Sequence, residues 1–146
     1  MSRAFVKDDD GTPEKPIAIP QTGFPNYVTP HGLAQLRERL AAAESAAEEA
    51  QIEHLRSRVE SAIPVDPKQQ PAGVVQFGAT VSIEEPDGST HTYTIVGEDE
   101  ADPLHGTISW ISPLAQALVD ARVGANVLWK RPAGDLPVRV RSIEYR

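Results

Sequence analysis

The sequence predicts an α+β protein, in which a short N-terminal antiparallel helical hairpin is followed by an antiparallel sheet packed on one helix. Three observations carry this. From Leu33 to Ile63 there is no Gly or Pro, and Ala, Leu, Glu, Gln and Arg dominate, all strong helix formers. From Val75 to Ile83 apolar residues alternate with polar or small ones, the period of a strand with one buried face. Ser112-Pro113 then opens a short helix between later strand segments, Ser suiting the cap and Pro the first helical turn.

Residues 1–26 hold four of the five prolines found in the first 30 positions and show no apolar period, so they read as an extended or disordered Pro-rich tail. Residues 27–66 form the hairpin. Thr29 is the N-cap and Pro30 the first helical residue. Leu36, Leu40, Ala43, Ala47 and Ala50 step by four and three, and Ile52, Leu55, Val59 and Ala62 begin a second such ladder two residues later. Two residues are about 200° around a helix, so the two stripes of a straight rod would face opposite ways. Folding back near Ser45–Gln51 brings them together. No Gly, Asn or Pro marks that turn, which leaves a single bent helix, or one completed by a second molecule, as the alternative.

Pro64 and Pro67 end the helical region, and residues 67–146 form the second domain. Its first strand carries Val75, Phe77, Ala79, Val81 and Ile83. Pro86-Asp87-Gly88 is the hairpin turn and His91–Val96 the return strand. Glu98–Gly106 is an acidic loop and Thr107–Ile111 a third strand. The helix after Ser112 buries Leu114, Ala115 and Leu118 and is closed by Gly124. Val127–Lys130 and Val138–Tyr145 are the last strands, around a turn at Pro132–Asp135.

Composition excludes several functions. The chain of 146 residues lacks cysteine, so it has neither disulfides nor thiolate metal sites. No apolar run nears the roughly 20 residues of a membrane span, and a signal-peptide core is absent from the first ten residues, so a soluble, cytoplasmic protein with no membrane partner is expected. A net charge of −7 argues against strong direct nucleic-acid binding, which needs a surplus of Lys and Arg. The charge is uneven: Phe77–Ala121 has eight acidic residues and no Lys or Arg, whereas Arg122–Arg146 has six basic residues and two acidic ones. That imbalance favours oriented docking on a charged partner, unless folding interleaves the two halves.

Chemistry-bearing patterns are few. His31, His54, His91 and His105 lack ligand spacing, and no metal site is expected on the chain. Nucleophile-elbow, phosphate-loop and dinucleotide-loop motifs are absent, and Ser89-Thr90-His91 is ordinary turn chemistry. Glu98, Asp99, Glu100 and Asp102 read as a solvated acidic loop rather than a hard-cation site. Glu44, Glu48 and Glu49 fall at the proposed hairpin tip, where Glu is also a good exposed helix residue.

The run PDGSTHTYTIVGEDEAD (86–102), the run ISWISPLAQAL (108–118) and the landmarks Gly124, Pro132-Ala133-Gly134 and Ile143-Glu144-Tyr145 resemble, in order and spacing, the C-terminal domain of the GreA/GreB transcript cleavage factors. YVTPHGL (27–33) is similar to the start of that family's coiled-coil domain. The resemblance implies an FKBP-like fold for the C-terminal domain. It also implies docking on bacterial RNA polymerase at the rim of the secondary channel, through the region matched by Ser112, Pro113, Leu114, Gln116 and Ala117. It implies no cofactor on the chain itself, because magnesium would belong to the polymerase active site.

The departures are as informative. The family's hairpin is about twice as long as Leu33–Ile63 permits, and its Gly-Asp…Glu-Asn-Ala tip motif is missing. About 15 residues per arm reach only about 22 Å, which would leave Glu48 and Glu49 short of the catalytic metal. Ile111 stands where the family often has an acidic residue before Ser-Pro. A stubby hairpin is similar to that of the regulator of nucleoside diphosphate kinase, although Phe77–Glu100 is closer to the GreB type.

The expected function is a polymerase-binding regulator of elongation with weak or no cleavage stimulation, and not an enzyme. One alternative is a cleavage-stimulating factor using Glu44, Glu48 and Glu49 as a displaced acidic tip. Another is an FKBP-like peptide-binding or isomerase module, for which Tyr93, Trp110, Trp129 and Tyr145 are the aromatics available.

Overall fold

A computed structural model describes residues 24–146; the Pro-rich tail expected over residues 1–26 lies outside the described residues up to position 23. The described chain forms two units. One comprises residues 24–26 and 33–63, the other residues 27–32 and 64–146.

In the first unit the helical segment is two helices, α1 (Pro30–Ser45) and α2 (Glu49–Ser61). The phase jump in the apolar ladder is therefore a chain reversal. The turn is a Schellman closure: Ala47 donates to the Glu44 carbonyl at 3.2 Å, Glu48 to the Ala43 carbonyl at 3.1 Å, and Ala47 takes φ 56°. Gly normally fills that left-handed position, and Ala there costs about 1 kcal/mol. Leu36, Ala43, Ile52 and Leu55 are buried as the ladder predicts. Ala47 and Ala50, counted in the seam from the sequence, are instead exposed, because the turn begins before them.

The base of this unit is polar, which the apolar pattern does not foretell. Arg58 is only 4% exposed, and its Nη2 donates to Asn26 Oδ1 at 2.8 Å. Asn26 Nδ2 donates in turn to the Arg58 carbonyl and to Ser61 Oγ, at 2.9 and 3.1 Å. Ile63 N–H closes on the Asn26 carbonyl at 2.8 Å.

The second unit begins with β1 (Tyr27–Val28); after α2 comes β2 (Ile63–Pro64), which enters this unit at Pro64. Five strands build its sheet: β3 (Thr80–Glu84), β4 (Thr90–Val96), β5 (Thr107–Ser109), β6 (Asn126–Trp129) and β7 (Leu136–Glu144), in the order β5-β4-β3-β7-β6. β3 pairs antiparallel with β4 and β7, and β6 with β7, but β5 runs parallel to β4. The sheet is therefore mixed, not antiparallel throughout. The loop of 3-10 turns at Glu98–Glu100 and Pro103–His105 returns the chain in the same direction as β4, giving a crossover instead of a tight hairpin.

The strand expected from Val75 starts only at Thr80. Gly78, at φ 92°, turns the chain, and Val75 pairs instead with the chain after the third helix, donating to the Ala121 carbonyl and accepting from Asp120 N–H. Phe77 of the alternating series is only half-buried and Thr80 between its members is buried too, but Val75, Ala79, Val81 and Ile83 are fully enclosed. With Ile95, Ile108, Leu114, Leu118, Val138 and Val140 they form one core, each large side chain worth about 1.5–3 kcal/mol when fully buried. Opposite the core, Thr80 and Ser82 face Thr94 and Thr92 in hydroxyl pairs of 3.0 and 2.8 Å.

The third helix, α3 (Pro113–Leu118), starts where the sequence places it but ends six residues before Gly124. Asp120, at φ 69°, makes the left-handed turn there, and Gly124 serves the next turn, donating to the Val140 carbonyl at 2.8 Å.

Candidate functional site

Two regions carry residues of functional interest, and they lie in different units. The first is α3 and its cap. Ser112 Oγ accepts from Ala115 N–H at 3.3 Å, so the cap is made by the side chain the sequence marks for it. Gln116 Nε2 donates to the Trp110 carbonyl at 2.9 Å and ties the helix to its own lead-in. Leu114 is 4% exposed and belongs to the core: it holds α3 down and offers no surface to a partner. Pro113 and Gln116 are exposed and Ala117 half-buried, so the accessible part of this region is the Pro113–Gln116 face. Ile111 is half-buried, its N–H shared with Ser109 Oγ at 3.3 Å.

The second region is the hairpin tip. Glu44 Oε2 lies 3.4 Å from Arg56 Nη2, so this carboxylate has a cationic partner within the hairpin. Glu48 and Glu49 are exposed at the start of α2, where the helix dipole favours negative charge. Glu48 is the N-cap, with non-helical φ −91° and ψ 86°, and Glu49 is the first helical residue. A shallow concavity of about 230 Å³ on α2 is lined by Glu49, Ala50, Ile52, Glu53 and Arg56. Among the described residues no three His, Asp or Glu side chains gather into a metal-holding set.

The acidic loop contains the functional group that sequence reasoning missed. Glu100 Oε2 accepts from Thr29 N–H at 2.9 Å and from Gly97 N–H at 3.2 Å, while Glu100 Oε1 accepts from the Thr29 hydroxyl. Thr29 Oγ1 in turn caps α1, accepting from Gly32 N–H at 3.0 Å. This carboxylate is a structural clamp, not part of a solvated loop. Its signal, a Gly-x-x-Glu spacing, is too common to have been read without the 71-residue contact to Thr29.

The aromatics considered for a peptide pocket have structural positions. Tyr93, Trp110, Trp129 and Tyr145 pack against the core, and the Trp110 ring lies edge-on to Tyr27 with centroids 4.9 Å apart. The Tyr145 hydroxyl donates to the Val74 carbonyl at 2.6 Å and accepts from Gln76 N–H at 2.8 Å. Burial pushes the Tyr145 phenol above its ordinary pKa.

Comparison with known proteins bears on the α3 region directly. Residues 70–145, more than half of the chain, match the family model described as "Transcription elongation factor, GreA/GreB, C-term". The chain is 44% identical over 95 residues to the transcription elongation factor GreB of Neisseria meningitidis serogroup B, covering 64% of this chain and 58% of that protein. It is 38% identical over 102 residues to the transcription elongation factor GreA of Geobacillus kaustophilus, covering 69% and 65%. The solved structure of a prokaryotic transcription elongation factor GreA/GreB from Nitrosomonas europaea aligns at 24% identity with a TM-score of 0.46, over 82% of this chain and 98% of that one. The chain thus spans only about 58–65% of the length of the curated relatives it matches. No helix among the described residues is long and apolar enough to cross a membrane. By the match over residues 70–145, the chain belongs to the GreA/GreB family of transcription elongation factors.

Proposed function

We propose that this chain binds bacterial RNA polymerase at the rim of the secondary channel and regulates elongation with weak or no stimulation of transcript cleavage. The observation that carries this reading is the length of the hairpin. Its arms have 16 and 13 residues, which at 1.5 Å rise per residue is a reach of about 24 Å at most. The docking half of the family pattern is present in Ser112-Pro113 and the exposed Pro113–Gln116 face, while the half that would deliver carboxylates to the polymerase metal is short and lacks the tip motif. The chain is then a binding regulator and not an enzyme. A pull-down with core RNA polymerase tests it, with and without GreA as competitor. Retention that GreA displaces supports the reading, and no retention at micromolar concentration rejects it.

The exposure of Glu48 and Glu49 favours one second reading, in which the tip still stimulates cleavage. A stalled-complex assay separates the two. Shortened transcripts that disappear with Glu48→Ala/Glu49→Ala would establish stimulation through the tip, and unchanged transcripts would exclude it.

A further inference from the structure

The sheet ends on β6, and β6 is an open edge. On β7, Val140 donates its N–H to Ala125 and accepts at its carbonyl from Gly124, so the even-numbered residues of β7 turn their peptide groups toward β6. The antiparallel alternation then makes Val127 and Trp129, opposite Val138 and Leu136, the bonded residues of β6. The peptide groups of Asn126 and Leu128 face outward. Pro137, opposite Leu128, fits this phase, because its missing N–H falls on the side away from β6.

Four cations surround this edge. Arg122 begins the turn that leads into β6, with Ala125 N–H on its carbonyl at 3.0 Å, and Arg139 is the cross-strand neighbour of Asn126. Lys130 and Arg131 follow directly after Trp129, and the Arg131 guanidinium lies 5.4 Å from the Trp129 ring centre. Other arginines of this unit have carboxylate partners, as Arg141 has Glu84 and Arg146 has Glu144. Among the described residues no carboxylate lies within ion-pair distance of Arg122, Lys130, Arg131 or Arg139. Between these charges the side chain of Leu128 is 46% exposed. The imbalance seen in the sequence therefore survives folding at one place, the open edge.

Positive charge on an edge strand keeps identical edges apart, and two copies pairing here would set one group of four cations against another. The same charges attract an acidic strand, whose main chain would satisfy the outward peptide groups. We propose that β6 is a docking edge for an extended acidic segment of a partner protein, added as a further strand with the pattern Asp/Glu–x–aliphatic–x–Asp/Glu. Alternate residues share a face and lie about 7 Å apart. An aliphatic residue beside Leu128 would thus place one carboxylate near Arg139 and the other near Lys130.

The test uses the full chain and a fluorescein-labelled synthetic peptide with Glu-Thr-Val-Thr-Glu at its centre, followed by anisotropy. Saturable binding is expected, weakened about tenfold or more by Lys130→Glu/Arg139→Glu and weakened also by added salt. Leu128→Pro removes the outward N–H and the Leu side chain but takes no hydrogen bond from β7, so it should abolish binding while the chain stays folded. Amide shifts on titration should be confined to residues 122–131 and the facing part of β7. Binding that neither variant weakens, equal binding of the peptide with Lys in place of Glu, or no saturation up to about 1 mM would overturn the proposal. So would a concentration-dependent dimer lost in Leu128→Pro, which would assign the edge to a second copy.

Discussion

The Glu100 carboxylate accepts hydrogen bonds from both the backbone N–H and the hydroxyl of Thr29, 71 positions earlier in the chain. Through Thr29 it also orders the first turn of α1, so residues 27–32 are held within the same unit as the sheet. Two glycines make room for this clamp. A Cβ on Gly32 would overlap the Glu100 side chain, and one on Gly97 would overlap the Tyr27 carbonyl.

Glu100→Ala should destabilise the protein by about 2–4 kcal/mol, since it strands two partly buried N–H groups and a hydroxyl formerly bonded to a charged acceptor. Glu100→Gln, which retains one acceptor oxygen, should lose less. Urea denaturation of the two variants checks the order; equal stability of Glu100→Ala and parent would show that the clamp contributes nothing.

The Tyr145 hydroxyl bridges Val74 and Gln76, and Tyr145→Phe should cost about 1–3 kcal/mol. The pH dependence follows from the raised phenol pKa. The folded state holds this proton more tightly than the unfolded chain, whose phenol titrates near 10.0. The contribution is therefore complete below that pH and is lost as pH rises through the higher folded value. Stability of the parent should fall faster than that of Tyr145→Phe in alkaline denaturation.

Ala47→Gly tests the reversal between α1 and α2. With φ 56° at this position, Gly should stabilise by about 0.5–1 kcal/mol. In an uninterrupted helix the same change would destabilise by about 1 kcal/mol, so the sign of the shift in thermal midpoint decides between the two.

At the base of the hairpin, Asn26→Ala removes the acceptor at 2.8 Å from the buried Arg58 guanidinium and the donor to its carbonyl. A loss of about 2–4 kcal/mol is expected, larger than for a neutral pair because one partner is charged. Amide hydrogen exchange should show it as reduced protection at the end of α2.

Much of this architecture was legible in short-range patterns. Thr29-Pro30 and Ser112-Pro113 announced two helix starts because cap and first turn are adjacent in sequence, and the two-residue jump between apolar ladders announced the chain reversal. What stayed hidden depends on distant partners or on residues that take unusual conformations. Ala47 and Asp120 turn left-handed without being Gly, so the exact turn and the end of α3 were not visible. The parallel direction of β5 is set by the crossover before it, and three residues are too few to signal it. Glu100 looked like one carboxylate among several until its distant partner was seen.

Polymerase attachment is the central claim, and it is tested most directly by titrating labelled chain with core RNA polymerase and then adding unlabelled GreA. The account predicts saturable binding at micromolar concentration or below, and release by GreA as the two compete for one site. Binding that is absent in that range, or that GreA leaves untouched, would contradict it.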